Sequence, residues 1–473
     1  MLVSSTKSIF WSGIQQFTIS GSQFIITIVI ARILTPEDYG LLAMLTIFFA
    51  FTQAFIDSGL TGALIQKKDH SQEDCNTVFY FNVIVSLMFY VILFFSAPLI
   101  ARLYDNDLLI TLTRVFSLNL IINAFVGVQR VLIIKRLMFK QLAIITAGSS
   151  LVSGAMAIVM AYSGFSYWSL VAQILTASTL SGLLIYYKVH WTPTFSFSKE
   201  SARLLFSFGL PVMFTSIIHA IYNNLYSLVI GLKYKAEDLG YYNRAATFSS
   251  FIPINAGNFV AQALFPIQSL IQDEYEQVRA SYLKAIHTLA FFVIPINVFV
   301  LVNAEDIILV LLTEKWIIMK PFLQLLCVAS VWYPILNMQN TTIKVFGKTK
   351  VLFWSELLKK ILGISVIFIT VNYNIIIMVW GLFFFSFFEL AIGSFFFQKV
   401  SNISIREQLK VYYYIPISAI AFSLVAFFIS SFISIMFCRL LISGLLFVAL
   451  YGAWGLWRKD QAMAVFRGIF GKK

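Results

Sequence analysis

The feature that most constrains this 473-residue sequence is a series of apolar runs that recurs along its whole length. Hydrophobic residues make up 59% of the chain and charged residues 12%, whereas soluble domains carry about 25% charged residues. A helix needs about 20 residues to cross the hydrocarbon core of a bilayer, which is roughly 30 Å thick. The sequence therefore predicts an all-α polytopic membrane protein.

Hydropathy predicts about fourteen transmembrane helices. The predicted spans cover residues 10–32, 40–60, 77–100, 109–128, 140–162, 166–187, 205–232, 240–266, 282–302, 320–341, 350–371, 375–397, 412–433 and 437–457. A polar segment, KVHWTPTFSFSKESAR, separates the sixth span from the seventh. We expect an N-terminal six-helix lobe at 1–190, a C-terminal six-helix lobe at 191–400, and two additional helices with a cytoplasmic tail at 401–473.

The distribution of Lys and Arg predicts the orientation in the membrane. One alternating set of loops, which includes both chain ends, holds more than twice as many basic residues as the opposite set. Cytoplasmic loops retain positive charge, so both termini should face the cytoplasm. The N-terminal hydrophobic stretch has no small-residue cleavage site, and we expect it to be a retained first helix.

Composition also argues against several functions. The formal net charge of +13 is spread over short loops, which does not favour nucleic-acid binding. The three cysteines, Cys75, Cys327 and Cys438, form no CxxC pair, and no His, Cys and carboxylate residues have metal-ligand spacing. No phosphate-binding loop of the GxxxxGK[ST] type is present, so we expect no cofactor, metal or nucleotide hydrolysis.

An internal repeat appears when the sequence is shifted by 200 residues. The segment ILTPEDYGLL, at the end of the first span, then aligns with LKYKAEDLGYY at the end of the seventh. Glu37, Asp38 and Gly40 fall on Glu237, Asp238 and Gly240. Chance matching of apolar residues does not explain the aligned polar residues, so we predict two duplicated halves with an even number of spans each. Such halves are related by an axis along the membrane normal, and a cavity is expected between them.

Polar stripes at helical spacing mark candidate substrate-binding residues. The stripe in the first span contains Ser12, Gln16, Ser20, Gln23 and Thr27. The seventh span has a matching stripe with Ser216, His219, Asn223 and Ser227. These residues either line a water-filled cavity or form hydrogen bonds between helices.

The eighth span carries a further polar face, interrupted by Pro253 and Gly257, and such broken helices often lie at transport sites. A Pro kink is also a common packing device. The polar residues of this face are Arg244, Thr247, Asn255, Asn258 and Gln262. In the second span, Asp57 falls opposite Gly257 under the repeat and is a candidate coupling residue.

Charges inside spans are costly, so each is a functional candidate. Glu356 and Lys360 lie one turn apart in WSELLKKIL and could neutralise each other, or the lysine could extend to the cytoplasmic surface. Arg32 and Arg244 are candidates for substrate binding, or else ordinary anchors at the membrane interface. Glu389, in FFFSFFELAIG, could pair with a lysine of the preceding span or relay a proton.

Two segments carry a resemblance to a known family. The turn ARILTPEDYGLLAM and the segment DSGLTGALIQ, at the end of the second span, resemble those of Wzx-type polysaccharide transporters. This family belongs to the multidrug/oligosaccharidyl-lipid/polysaccharide exporter superfamily. The resemblance is strongest over residues 10–75, and the helix count agrees with it over the full chain.

The resemblance implies two six-helix lobes around a lumen that opens alternately to each side, in the bacterial cytoplasmic membrane. Members of the family move undecaprenyl-diphosphate-linked oligosaccharides to the outer leaflet for O-antigen, capsule or exopolysaccharide synthesis. It implies that basic residues in the lumen hold the diphosphate, and the candidates here are Arg32, Arg244 and Lys360. The expected partners are the lipid-linked oligosaccharide, the phospholipid bilayer, and polysaccharide polymerase or chain-length proteins.

Two departures from related branches narrow this expectation. The first helix lacks the arginine cluster of lipid II flippases and the deep carboxylate of multidrug transporters. A cation-coupled multidrug antiporter of the same superfamily remains the alternative, with Asp57, Glu356 and Glu389 as coupling candidates. A membrane-embedded polymerase or ligase would need a large outer loop with catalytic residues, which the predicted short loops do not provide.

Overall fold

The computed structural model describes residues 20–56, 60–67, 69–136, 138–196 and 198–463. Helix accounts for 87% of the structure, and the described residues contain no strand. These residues form two compact units, one ending at Asn243 and the other beginning at Arg244. The all-α fold predicted from the sequence is confirmed.

The first unit is built from nine helices and the start of a tenth. They are α1 (Ser20–Ile33), α2 (Pro36–Ile56), α3 (Gly62–Gln66), α4 (Gln72–Leu103), α5 (Leu108–Phe116), α6 (Leu118–Lys135), α7 (Phe139–Tyr162), α8 (Trp168–Val189) and α9 (Lys199–Lys233). The core of this unit lies where α3, α4, α6 and α8 meet, around Leu64, Val78, Val131 and Ile185.

The second unit contains the rest of α10 (Ala236–Leu270) and nine further helices. These are α11 (Tyr275–Val302), α12 (Ala304–Leu311), α13 (Lys320–Ser330), α14 (Tyr333–Val345), α15 (Thr349–Thr370), α16 (Ile375–Ser401), α17 (Ile405–Tyr412), α18 (Tyr414–Ser430) and α19 (Met436–Trp457), with a short 3-10 helix at Glu314–Met319. Its core centres on α11, where Tyr282 and Phe291 are fully buried.

The last two long helices, α18 and α19, are fixed to the second unit. Arg439 Nε on α19 donates to Asp306 Oδ2 on α12 over 2.7 Å. Deeper along α19, the Tyr451 hydroxyl donates to the carbonyl of Phe291 over 3.2 Å. An ion pair and a buried hydrogen bond therefore attach α19 to α12 and α11, and α18 packs against both α11 and α19.

The protein is a multi-pass membrane protein. Among the described residues, 10 helices are long and apolar enough to span a bilayer, or up to 11 if α9 counts as one span despite its 48° bend. Each predicted span overlaps a helix or a broken pair of helices. The three that do not meet this test are α1, α10 and α15, so the number of fourteen spans stays a prediction, as do the lobe boundaries.

The repeated turn has the same local structure in both copies. The Asp38 carboxylate accepts a hydrogen bond from the backbone N–H of Thr35 over 2.8 Å, at the start of α2. The Asp238 carboxylate accepts one from the backbone N–H of Lys235 over 3.3 Å, at the start of α10. Each aspartate satisfies a donor beside a helix N-terminus and complements the helix dipole.

The two repeated glycines make a reciprocal contact between the starts of α2 and α10. A Cβ atom added to Gly40 would lie 1.7 Å from the carbonyl oxygen of Ala236. A Cβ atom added to Gly240 would lie 1.8 Å from the carbonyl oxygen of Pro36. Since the obstructing atoms belong to the backbone, this close approach of the helices requires glycine at both positions.

Replacing either glycine should therefore destabilise the protein. We expect Gly40→Ala and Gly240→Ala each to cost about 1–3 kcal/mol, because the backbone must move to admit a methyl group. Thermal unfolding of the full-length protein in detergent measures the effect. Gly148→Ala on α7 is the control, because a Cβ atom there meets nothing within 4 Å. Equal thermal midpoints for all three variants would contradict the close contact.

Candidate functional site

The second unit holds a cluster of charged side chains where α14, α15 and α16 pack against one another. Lys359 and Glu356 lie three residues apart on α15, and Lys359 Nζ is 2.8 Å from Glu356 Oε1. Lys359 is only 2% exposed. Residues three apart share one face of a helix, so α15 carries both partners of the ion pair itself.

Glycine on α16 makes room for side chains of α14 beside this lysine. A Cβ atom added to Gly393 on α16 would lie 2.7 Å from Gln339 Oε1 and 2.7 Å from Leu336 Cδ2, whereas its distance of 3.6 Å from Lys359 Nζ is an ordinary contact. A side chain at this position would occupy the space between α14 and α16. The absence of one lets Gln339 and Leu336 pack against the backbone of α16.

Glu389 lies one turn before Gly393 on α16 and supplies the second acid. Its carboxylate interacts electrostatically with both Lys359 and Glu356. Lys360, the next residue on α15, is half-buried and interacts electrostatically with Glu356. We call Glu356, Lys359, Lys360 and Glu389 the charge cluster. Its two positive and two negative charges balance, which reduces the cost of placing them within apolar helices.

An amide from α14 completes the environment of Glu356. Asn340 Nδ2 donates to Glu356 Oε1 over 3.2 Å, so the same carboxylate oxygen accepts from an amide and from the Lys359 ammonium. Charge-assisted hydrogen bonds of this kind are about twice as strong as neutral ones. Three contacting groups on two helices therefore fix this side of the charge cluster.

A buried amide network lies beside the cluster. Gln339 Nε2 on α14 donates to Ser394 Oγ on α16 over 2.9 Å and to Gln408 Oε1 on α17 over 3.0 Å. The Tyr282 hydroxyl on α11 donates to the same oxygen of Gln408 over 2.9 Å. These bonds join four helices and hold the α14–α16 contact in place.

A second polar network connects α10 to α14. The Tyr333 hydroxyl and Asn337 Nδ2 both donate to Asn258 Oδ1, each over 3.0 Å. Asn255, one turn earlier on α10, donates to the carbonyl of Phe251 in its own helix over 2.7 Å. Of the polar face predicted on the eighth span, Asn258 therefore bonds to a neighbouring helix, and Asn255 bonds within α10.

The structure brings together three of the predicted site residues, namely Glu356, Lys360 and Glu389. The direct ion pair of Glu356 is with Lys359, whereas the sequence suggested Lys360 as its partner. Asn340 was not predicted at all, because an asparagine in an amphipathic helix gives no signal of its partner. Their shared location on α14–α16 is what identifies them as one site.

The other predicted site residues lie elsewhere. In the first unit, Gln23 and Arg32 on α1 are exposed, as are His219 and Asn223 on α9. In the second unit, Arg244 on α10 is half-buried. Gln16 and Asp57 fall outside the described residues. Among the residues that are described, no three His, Cys, Asp or Glu side chains are grouped so as to hold a metal ion.

Removing the buried lysine should destabilise the second unit. We expect Lys359→Met to cost about 3–5 kcal/mol, because Glu356 and Glu389 then remain without their shared counter-ion. Adding Glu356→Gln should restore part of this loss, which a double-mutant cycle of thermal midpoints measures. Lys344→Met is the matched control, since Lys344 is exposed at the end of α14. If Lys359→Met unfolds at the same temperature as the control, the ion pair has no structural role.

Comparison with known proteins places the chain in a family. The family described as "Polysaccharide biosynthesis protein" matches residues 29–321. The succinoglycan biosynthesis transport protein ExoT of Rhizobium meliloti is 27% identical over 361 residues, covering 75% of this chain and 72% of that protein.

Solved structures show the same fold. The lipid II flippase MurJ, in an inward closed conformation, matches with a TM-score of 0.73 and 14% identity, and both chains are covered completely. An inward-facing MATE multidrug transporter of the same exporter superfamily matches with a TM-score of 0.63 and 16% identity, covering 83% of this chain and 99% of that one. The resemblance noted in the sequence is confirmed. We conclude that the chain belongs to the polysaccharide biosynthesis protein family.

Proposed function

We propose that this protein is a flippase that moves an undecaprenyl-diphosphate-linked oligosaccharide from the inner to the outer leaflet of the bacterial cytoplasmic membrane. Family membership and the transport role in the name of the Rhizobium relative support a lipid-linked saccharide as the cargo. The observation in this chain that carries the proposal is the charge cluster on α15 and α16. A protein that only anchors or scaffolds has no need of four charges among apolar helices.

The chemistry of the cluster suits an anionic headgroup. A diphosphate is bound by cations and by amide donors, and Lys359, Lys360 and Asn340 supply both kinds of group within one site. In the resting state the lysines are neutralised by Glu356 and Glu389. An arriving diphosphate can replace a carboxylate as the partner of a lysine, because both present oxygens to the ammonium group.

Protonation of Glu389 would make this exchange depend on pH. The cluster has a formal charge of zero when both acids are ionised and +1 when one carries a proton. Only the protonated state then attracts the diphosphate with a net charge, so protonation favours substrate binding and loss of the proton favours substrate release. A ligand shifts a conformational equilibrium only by its different affinity for the two states. We propose that this difference drives alternating access.

The remaining predicted residues extend the proposal to the saccharide and to the rest of the path. We propose that Arg244 and Asn255 in the second unit contact the substrate. In the first unit, Gln23, Arg32, His219 and Asn223 are exposed and remain candidates for the same role. Gln16 and Asp57, in the part of the chain that the structure does not describe, are retained as proposals from the sequence alone.

A cation-coupled multidrug antiporter is the second candidate function. The acids Glu356 and Glu389 favour it, because carboxylates within a bilayer are suited to bind protons, metal cations or cationic drugs. The balancing lysines argue against it, since they repel a cationic substrate. The two candidate functions differ in the charge of the cargo, which is anionic for a flippase and cationic for the antiporter. An experiment can therefore distinguish them.

The first test follows the lipid-linked glycan in cells that lack this protein. We expect undecaprenyl-diphosphate-linked glycan to accumulate in the inner leaflet and wild-type protein to clear it. Lys360→Met should clear it about tenfold more slowly, because a charge-assisted hydrogen bond is worth about 1.5–3 kcal/mol. The exposed Lys344→Met should behave as wild type. Unchanged glycolipid in the absence of the protein, together with lost drug resistance, would support the antiporter.

The second test concerns coupling. In vesicles that contain purified protein, acidifying the side on which the saccharide starts should accelerate its translocation by wild type. Glu389→Gln should translocate at the rate measured without acidification, because the amide cannot take up a proton at this site. If the variant keeps the full response to acidification, Glu389 is not the coupling residue.

A further inference from the structure

The first unit contains an apolar groove that no part of the proposed mechanism uses. Helices α2, α4 and α9 enclose two adjoining cavities with volumes of about 410 Å3 and about 230 Å3. Phe89 on α4 lines both, so the cavities meet at this ring. We call the pair the apolar groove. Its combined size lies within the range of roughly 300–1,000 Å3 that is typical of ligand pockets.

The lining of the groove on α4 is about as long as the hydrocarbon core of a membrane is thick. It runs from Phe81 to Ile100, which corresponds to about 28 Å at 1.5 Å per residue. The hydrocarbon core of a bilayer is roughly 30 Å thick. On α9, which bends by 48° between Ser207 and Val212, the lining runs from Phe206 to Leu228. A long occupant that lies along α4 can therefore contact the lining over this whole length.

The surface of the groove is suited to hydrocarbon. Its floor is closed by contacts of α2 with α9, where Ala54, Met213 and Ile217 are buried. Phe55 packs against Phe89 at a centroid distance of 5.1 Å. The hydroxyl of Thr52, one of the few polar groups in the lining, donates to a carbonyl of its own helix over 2.8 Å. The groove thus offers almost no unsatisfied polar group to an occupant.

Length and charge together indicate which lipid fits. A phospholipid acyl chain ends near the bilayer centre, about 15 Å from either surface, and fills only half of the groove. A longer hydrocarbon chain can fill all of it. At the Phe206 end, Arg203 lies one turn earlier on α9 and Lys199 one turn before that, and both are exposed. Two cations at one end of an apolar groove complement a diphosphate attached to a long tail.

We propose that the apolar groove binds the polyisoprenoid tail of a diphosphate-linked carrier lipid, with the diphosphate next to Lys199 and Arg203. This inference rests on the proposed function and adds a second site to it. At this second site the groove of the first unit holds the tail, and Lys199 and Arg203 contact the diphosphate of the same molecule. The hydrocarbon tail is thereby bound against apolar side chains of the protein.

The chain offers closely matched variants for a test. Ile92 lines the groove and is 46% exposed, whereas its neighbour Val91 is 48% exposed and does not line it. Met88 and Leu87 form a second such pair, at 49% and 44% exposure, with Met88 in the lining. A tryptophan at the lining position fills the groove. A tryptophan at the neighbouring position adds the same bulk to α4 but lies outside the groove.

The experiment uses the full-length protein in vesicles of phosphatidylethanolamine and phosphatidylglycerol. A polyprenyl diphosphate with a photoreactive tail is the probe, and labelled residues are mapped by mass spectrometry. We expect labelling on the groove side of α4 that unlabelled polyprenyl diphosphate displaces. Ile92→Trp should reduce it about tenfold, since overfilling a packed site is costly, while Val91→Trp should leave it unchanged.

Other outcomes would overturn the proposal. Equal labelling of Ile92→Trp and Val91→Trp would show that the probe does not enter the groove. Groove labelling by a photoreactive phospholipid that excess polyprenyl diphosphate fails to displace would assign the groove to bulk lipid. If Ile92→Trp does not fold, as judged by its thermal midpoint, Met88→Trp and Leu87→Trp provide the same comparison.

Translocation by wild type in the same vesicles separates this inference from the proposed function. If wild type moves no lipid-linked saccharide, the proposed function fails, whatever the labelling shows. If wild type translocates but the probe labels no groove residue, the groove inference alone fails.

Discussion

Polar groups inside a bilayer depend on one another, because hydrocarbon offers them no hydrogen-bond partner. The second unit shows this dependence at Lys359, whose ammonium is held by Glu356 and lies near Glu389. Asn340 and the glycine at 393 are necessary parts of the same arrangement, one as a donor and the other as space. The packing of α14, α15 and α16 and the balance of charge are therefore a single requirement.

The same requirement explains how much of the fold the sequence predicted. Apolar runs must be helical in a membrane, so hydropathy alone located a helix or a broken pair at each predicted span. The number of fourteen spans stays a prediction, in part because α10 and α15 carry polar and charged residues that lower their hydropathy. Those residues make up much of the site, so the helices hardest to count are among the most informative about function.

The candidate site was only partly predictable, for a physical reason. Lys359 and Lys360 are adjacent in sequence, and either can reach Glu356 from one turn away. Which of them is buried depends on the face that α15 turns toward α16, and in the structure Lys359 is buried whereas Lys360 is half-buried. Helical spacing identified the group of charges but contained no information on its partners. The apolar groove was equally invisible, since apolar residues look alike whether they face a neighbour, a groove or lipid.

The reciprocal contact of Gly40 and Gly240 has a consequence for which substitutions the starts of α2 and α10 can accept. Each glycine faces the backbone of the other helix, at the residue where that helix begins. A side chain added to one helix must be accommodated by a shift of the other, because the obstructing carbonyl group belongs to the backbone and no substitution removes it. The two helix starts can therefore change only as a pair.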